Sequence, residues 1–289
     1  MSRSKLSDAR RVVVKVGTSS LTDPEGHLDR ARVERFANEL CDLADAGREL
    51  VCVSSGAISA GLGPLGLSRR PTDTPTLQAA AAVGQSHLMD AYASAFEARG
   101  RACGQVLLTK ADITHRHAYV NALNTFRRLI ALGAVPVVNE NDTVATHDIR
   151  FGENDLLAAL VANLVEADAL VLLSDVDGLH EGVDGPLVTE VEAITPEVER
   201  LAAPSRPGLG SGGMPTKLAA AKVAAASGIP VVIARSGPGV LSRVLSGGPE
   251  GTLFHAAPAK MAKRKAWIAF AATPRGRIVV DTGARRALV

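Results

Sequence analysis

The chain has 289 residues, 46% of them hydrophobic, enough to bury one large α/β core as the main domain. A formal charge of +2 and an aromatic content of only 3% exclude a strong electrostatic footprint or a stacking surface for nucleic acid, which leaves small ligands as the better expectation. Cys41, Cys52 and Cys103 are odd in number and set in apolar stretches, as reduced thiols of a cytoplasmic protein would be; the N-terminus is polar and no apolar run reaches the length of a membrane span.

In chain order, Arg11-Val-Val-Val-Lys-Val-Gly17 is a β-branched run closed by glycine. An amphipathic stretch over 29–46 predicts a helix and Glu49-Leu-Val-Cys-Val-Ser-Ser55 a second strand, which makes a βαβ unit. The alternation continues with a long helix over 76–99, a strand over 104–109, a helix over 118–132 and a strand over 135–138. A helix over 156–166, a strand over 169–174, a helix over 216–227 and a strand over 230–234 follow, with Gly251-Thr-Leu-Phe-His255 as a last strand. Strands that are apolar throughout, separated by helices, predict an α/β fold with a mostly parallel sheet covered on both faces. Ligands then gather at the carboxyl ends of the strands. The composition changes near Pro258, where the basic run Lys260-Met-Ala-Lys-Arg-Lys265 begins, and the remainder is too short to build an independent core.

Several polar groups fall at those strand ends. Lys15 lies inside an otherwise apolar strand, where a charge is expensive unless it is paired at the open end. Eight lysines stand against 24 arginines, so a Lys here was not drawn from the common basic residue. A compact ammonium serves phosphate as a point charge, whereas a guanidinium is a bulky fork; the plain alternative is a snorkelling edge Lys. Ser54-Ser-Gly-Ala57 closes the second strand as a βα turn with a small hydroxyl. Gly61-Leu-Gly-Pro-Leu-Gly66 matches the dinucleotide pattern in form only, because it does not follow a strand directly and Pro64 interrupts it.

Asn139-Glu-Asn-Asp142 ends another strand, and Gly152-Glu-Asn-Asp155 opens a helix in which Asn154 or Asp155 could act as a simple N-cap. Ser174-Asp-Val-Asp-Gly178 ends the next strand, offering Asp175 and Asp177 to a ribose, a base or a metal-bound water, without the other ligands of an EF-hand. Arg206-Pro-Gly-Leu-Gly-Ser-Gly-Gly-Met-Pro-Thr-Lys217 then runs into an alanine-rich helix. Its glycines let backbone amides approach an anion, Pro215 suits a first helical turn, and Lys217 in that turn opposes the helix dipole unless an anion is bound. It is not a Walker A loop, since no Gly-Lys-Ser/Thr follows. The seven histidines show no metal spacing, His115 and His117 bracket Arg116 in a polar turn, and no metal site is expected from protein side chains.

Taken together and in order, Val13-Val-Lys-Val-Gly-Thr-Ser19, Ser54-Ser-Gly-Ala-Ile58, Val138-Asn-Glu-Asn-Asp142, Phe151-Gly-Glu-Asn-Asp155, Ser174-Asp-Val-Asp-Gly-Leu179 and Gly210-Ser-Gly-Gly-Met-Pro-Thr-Lys217 resemble the glutamate 5-kinases, over residues 11–256. The resemblance implies the amino-acid kinase fold, a three-layer sandwich around a mostly parallel central sheet, in a catalytic domain over 1–258. It implies phosphorylation of the γ-carboxylate of L-glutamate by ATP with Mg²⁺, as the first step of proline biosynthesis, with proline as feedback inhibitor and a homo-oligomer of two or four chains. Lys15, Lys217 and Asp155 become the catalytic set on this resemblance. Ser55, Asp142 and Asn154 hold glutamate; Lys15, Ser174, Asp175, Ser211, Gly212, Gly213, Met214, Pro215, Thr216 and Lys217 hold ATP. His180 stands where the family often has Tyr. Residues 259–289 resemble a linker and the incomplete start of a PUA domain.

Overall fold

The computed structural model describes residues 3–145, 153–182, 185–202, 213–257, 281 and 283. The expected boundary at Pro258, the basic run after it and the stretch from 203 to 212, with Ser211 and Gly212, lie outside the described residues.

From the N-terminus the elements are β1 (Arg11–Val16), α1 (Thr18–Leu21), α2 (Arg30–Asp45), β2 (Glu49–Ser54), α3 (Ala57–Leu62) and α4 (Thr74–Glu97). Then come β3 (Cys103–Leu108), α5 (Lys110–Thr114), α6 (Arg116–Ala131), β4 (Val135–Glu140), α7 (Glu153–Val165) and β5 (Ala169–Ser174). The described chain continues through β6 (Glu190–Val191), α8 (Pro196–Leu201), α9 (Met214–Ala226), β7 (Val231–Arg235), α10 (Val240–Leu245) and β8 (Thr252–Phe254). One sheet runs β3-β4-β2-β1-β5-β7-β8-β6, and its described pairs are parallel except β7 with β8.

Alternation along β1 decides which layer each side chain enters. Val12, Val14 and Val16 pack with Phe36 and Leu40 of α2, Leu88, Tyr92 and Phe96 of α4, and Leu241 of α10. Val13 points the other way, into a cluster with Val161 and Leu164 of α7, Leu218 and Val223 of α9, and Phe126 of α6. Two-sided burial is why the central strands read as unbroken apolar runs. It also puts Lys15, two residues after Val13, on the α7 and α9 side.

Helix starts follow local chemistry. Asp29 accepts from Ala31 N and Arg32 N at the head of α2, and Asp73 from Thr76 N at the head of α4. Helices α3 and α4 meet backbone to backbone: a Cβ on Gly61 would lie 2.0 Å from Ala80 O, and one on Gly84 1.8 Å from Ala57 O. The first glycine of the dinucleotide-like pattern is therefore a packing residue. At the far edge, Arg3 donates to the carbonyls of Gly248, Glu250, Thr189 and Gly251 at 2.7–2.9 Å, which ties the N-terminal turn to β6 and β8.

The short helices α1, α3, α5, α8 and α10 are additions to the expected order. His115 does precede a helix, but Arg116 and His117 belong to the first turn of α6 rather than to a polar turn. No described helix is long and apolar enough to cross a membrane.

Candidate active site at the carboxyl ends of the central strands

Lys15 is the penultimate residue of β1, in register with Val53 of β2 and Leu172 of β5, so its side chain emerges among the strand ends. Its Nζ lies 2.7 Å from Asp155 Oδ1, and Lys217 Nζ lies 3.2 Å from Asp155 Oδ2. Asp155 is 0% exposed, Lys217 2% and Lys15 6%. Burial alone would raise the Asp155 pKa, but the two ammonium groups outweigh it and hold the carboxyl below the usual carboxylate range. Burial pushes the Lys217 pKa down; Asp155 opposes that and the nearby Lys15 adds to it. Two cations share the one buried carboxylate, with the exposed Asp175 also attracting Lys217, so the buried cluster is rich in positive charge. Such a cluster asks for an anion.

Thr216 Oγ1 stands 3.1 Å from Asp155 Oδ2 and 2.9 Å from Gly213 O, and donates to one of them at a time. Asn154 and Asp155 do not act as caps. They are the second and third residues of α7, facing inward to the amide network and to the lysines. Gly213 is the N-cap of α9, and Met214, Pro215, Thr216 and Lys217 form its first turn. Gly17 N donates to Leu173 O at 3.1 Å, and a Cβ on Gly17 would sit 3.8 Å from Lys15 Nζ, so the glycine keeps the approach to the ammonium open.

A second group lies beside the lysines. Asn154 Nδ2 reaches Ser55 Oγ at 3.0 Å, Asn139 Oδ1 at 3.0 Å and Ser54 O at 3.4 Å. Asn139 Nδ2 donates to Gln85 Oε1 at 2.8 Å, and Ser54 Oγ is held at 2.9 Å by the hydroxyl of the fully buried Tyr92. Asp142 sits in the turn after β4 and faces Arg70; burial lowers the pKa of that guanidinium while Asp142 raises it.

On the other flank Ser174 is buried and its Oγ accepts from Val176 N at 3.3 Å, while Asp175 is exposed. A cleft of about 650 Å³ opens there, lined among others by Ser19, Ser174, Asp175, Arg235 and Gly237. Asp177 is spent within the fold: it lies 2.9 Å from His180 Nε2 and 3.8 Å from Arg235. His180 Nδ1 meets Gly185 O at 2.9 Å, so both ring nitrogens face acceptors, an arrangement that favours the doubly protonated ring. The hydrogen bond to Asp177, with that to Gly185, raises the His180 pKa above its ordinary value.

Residues 10–235 match the amino acid kinase family. The chain is 51% identical to the glutamate 5-kinase of Salinispora arenicola (strain CNS-205), over 99% of this chain and 79% of that protein. This chain belongs to the amino acid kinase family, among the glutamate 5-kinases. The glutamate 5-kinase of Myxococcus xanthus (strain DK1622) is 49% identical over 99% of this chain and 78% of its own length. Among solved structures, the UMP kinase from Bacillus anthracis superposes with a TM-score of 0.57 at 16% identity, covering 86% of this chain and 96% of that one. At that identity the likeness is one of fold.

Of the residues singled out in this glutamate 5-kinase family member, Lys15, Asp155, Thr216 and Lys217 converge on one point, and Ser55 and Asn154 form a hydrogen-bonded group next to it. Ser174 closes in from β5, its Cα 3.9 Å from the position of a Cβ on Gly17. Asp142 faces Arg70. Gln85, Tyr92 and Arg70 were not singled out from the sequence. Their only local signal is a polar side chain on a helix or loop, which is normally a solvated one.

Proposed function

We propose that this kinase transfers the γ-phosphoryl group of ATP to the γ-carboxylate of L-glutamate, giving L-glutamyl 5-phosphate and ADP, the first step of proline biosynthesis from glutamate. The observation that carries this reading is the buried pair Lys15 and Lys217 sharing Asp155, a positive site at the open ends of β1 and β5. A carboxylate acceptor is already ionised at pH 7, so the reaction needs no general base, and catalysis reduces to alignment and charge neutralisation. In this reading the γ-carboxylate attacks the γ-phosphorus in line with the departing ADP oxygen. Lys15 and Lys217 stabilise the equatorial and leaving oxygens, and Asp155 fixes both ammonium groups. Ser55, Asn154 and Asp142 hold glutamate; Ser174, Asp175 and the residues from 211 to 217 hold the nucleotide.

The described carboxylates suit a magnesium ion that arrives with the triphosphate. Asp155 is committed to two lysines, which leaves Asp175 exposed at the end of β5, a donor set too sparse for an all-protein octahedral cage. Bound with the nucleotide, the ion supplies charge neutralisation on the phosphate oxygens.

Feedback inhibition by proline, with residues 114–150 near the glutamate pocket as contact region, belongs to the same proposal. So do a cytoplasmic location, a homo-oligomer of two or four chains, and a division into a catalytic domain over 1–258 and a linker with PUA-like residues over 259–289. The test is hydroxylamine trapping with glutamate, N-acetylglutamate and aspartate offered separately. Hydroxamate and ADP should form with glutamate, and formation with another acceptor but not with glutamate would overturn the reading.

A further inference from the structure

The amide groups beside the lysines have a polarity that can be derived from one backbone atom. Glu140 N is a donor and nothing else, and it lies 2.9 Å from one terminal atom of the Asn139 side chain. That atom must be the oxygen, so the other terminal atom of Asn139 is its NH₂. The NH₂ lies 2.8 Å from Gln85, which must therefore present Oε1 to it. Asn139 Oδ1 has a second lone pair, 3.0 Å from Asn154, and the Asn154 atom there must be Nδ2. The orientation of three amides thus follows from one N–H, with no free choice of flip at any of them.

The chain of constraints ends at Asn154, which the proposed function takes to touch glutamate. Asn154 Nδ2 is fully used by Asn139, Ser55 and Ser54, and Asn154 Oδ1 is buried with no donor against it among the described residues. At the opposite end Gln85 Nε2 is buried with no acceptor among them. An orphaned acceptor is matched by a ligand that brings a donor. L-glutamate at neutral pH has one group with N–H donors, its α-ammonium; its two carboxylates only accept.

We infer that Gln85 is a positioning residue that anchors the Asn139 and Asn154 amides in the direction Glu140 N imposes, so that the site selects an acceptor substrate bearing an ammonium group. The inference rests on the proposed function, since it takes Asn154 to touch glutamate. Gln85 itself lies on α4 and touches no substrate in this account; its Oε1 is spent on Asn139. Without that acceptor, the Asn139 NH₂ is a buried donor lacking a partner in α4, and the amide group loses its anchor on that side.

The experiment is steady-state kinetics of wild type, Gln85→Met and Gln85→Glu, measuring KM for L-glutamate, KM for ATP, and inhibition by glutarate, which has both carboxylates and no ammonium. Met fills similar space with only a weakly accepting thioether, whereas Glu keeps an acceptor oxygen for Asn139. Gln85→Met should raise KM for glutamate about tenfold, equivalent to about 1.4 kcal/mol. It should leave KM for ATP and the glutarate inhibition constant within about twofold of wild type, by the same conversion. Gln85→Glu should recover most of the glutamate affinity. A Gln85→Met enzyme with wild-type KM for glutamate overturns the inference and leaves the proposed function standing. Wild-type enzyme that forms no glutamyl hydroxamate overturns both. If Gln85→Met does not fold, Gln85→Glu decides: retained preference for glutamate over glutarate supports the positioning role, and loss of that preference contradicts it.

Discussion

Asp155→Asn removes the charge that two buried ammonium groups share while leaving the volume nearly unchanged. At an effective dielectric of about 20, contacts of 2.7 and 3.2 Å are each worth about 5 to 6 kcal/mol of gross attraction. The variant loses this attraction, but the desolvation of Lys15 and Lys217 remains, because both stay buried. Relaxation, water entry and deprotonation of one lysine recover part of the loss, which leaves about 3 to 5 kcal/mol of destabilisation, the usual cost of breaking a buried pair from one side. For a domain of this size that lowers the unfolding midpoint by roughly 10 °C. The assay is thermal unfolding of ligand-free wild type and variant at pH 7, repeated with saturating Mg-ATP. A triphosphate brings its own negative charge to the lysines, so the nucleotide should raise the midpoint more in Asp155→Asn than in wild type. A ligand-free midpoint within about 2 °C of wild type would refute the argument that the carboxylate is what makes the buried cations tolerable.

Lys15→Ala and Lys217→Ala should each lower kcat by a factor of about 100 or more with KM for glutamate little changed, as the removal of a charge from a transition-state oxygen does; near-full turnover in both would end their assignment. Because the folded-state pKa of Lys217 is lowered, the unfolded chain binds its proton more tightly between that value and the ordinary lysine value of about 10.4. Stability from this group therefore rises with pH across that window, and Lys217→Met should flatten the slope in denaturant titrations at a series of alkaline pH values. Gly84→Ala drives a methyl into Ala57 O and should cost about 2 kcal/mol or more in urea unfolding, with no comparable loss at Gly63→Ala, where φ is -57° and the nearest atom to an added Cβ lies 3.9 Å away.

The sequence carried the layers well and the contacts between distant residues poorly. Lys15 was legible because a charge in an apolar strand has a cost that demands a reason, and Lys217 because a cation in a first helical turn opposes the dipole. Their meeting at Asp155 was not legible from those residues, since an acid near a helix start is first of all a cap. It came from the family resemblance, and the structure places that acid in the first turn of α7 with its side chain turned inward. The amide group is harder still. Asn139 meets Gln85 across a separation of 54 residues, and Ser54 meets Tyr92 across 38, which no local pattern encodes. Helices of four to six residues such as α1, α3 and α10 span fewer than two turns, too few for a period to show. The dinucleotide-like glycine pattern was legible as a mismatch, and its use in α3 packing became visible only once Gly84 stood opposite.

The central claim is that a carboxylate oxygen of glutamate attacks phosphorus while the two lysines hold the triphosphate. Glutamate labelled with ¹⁸O in its γ-carboxylate tests it most directly, with hydroxylamine present to cleave the acyl phosphate at carbon. The released inorganic phosphate should carry one ¹⁸O atom per hydroxamate formed. Phosphate free of ¹⁸O, released while hydroxamate accumulates, would contradict the account.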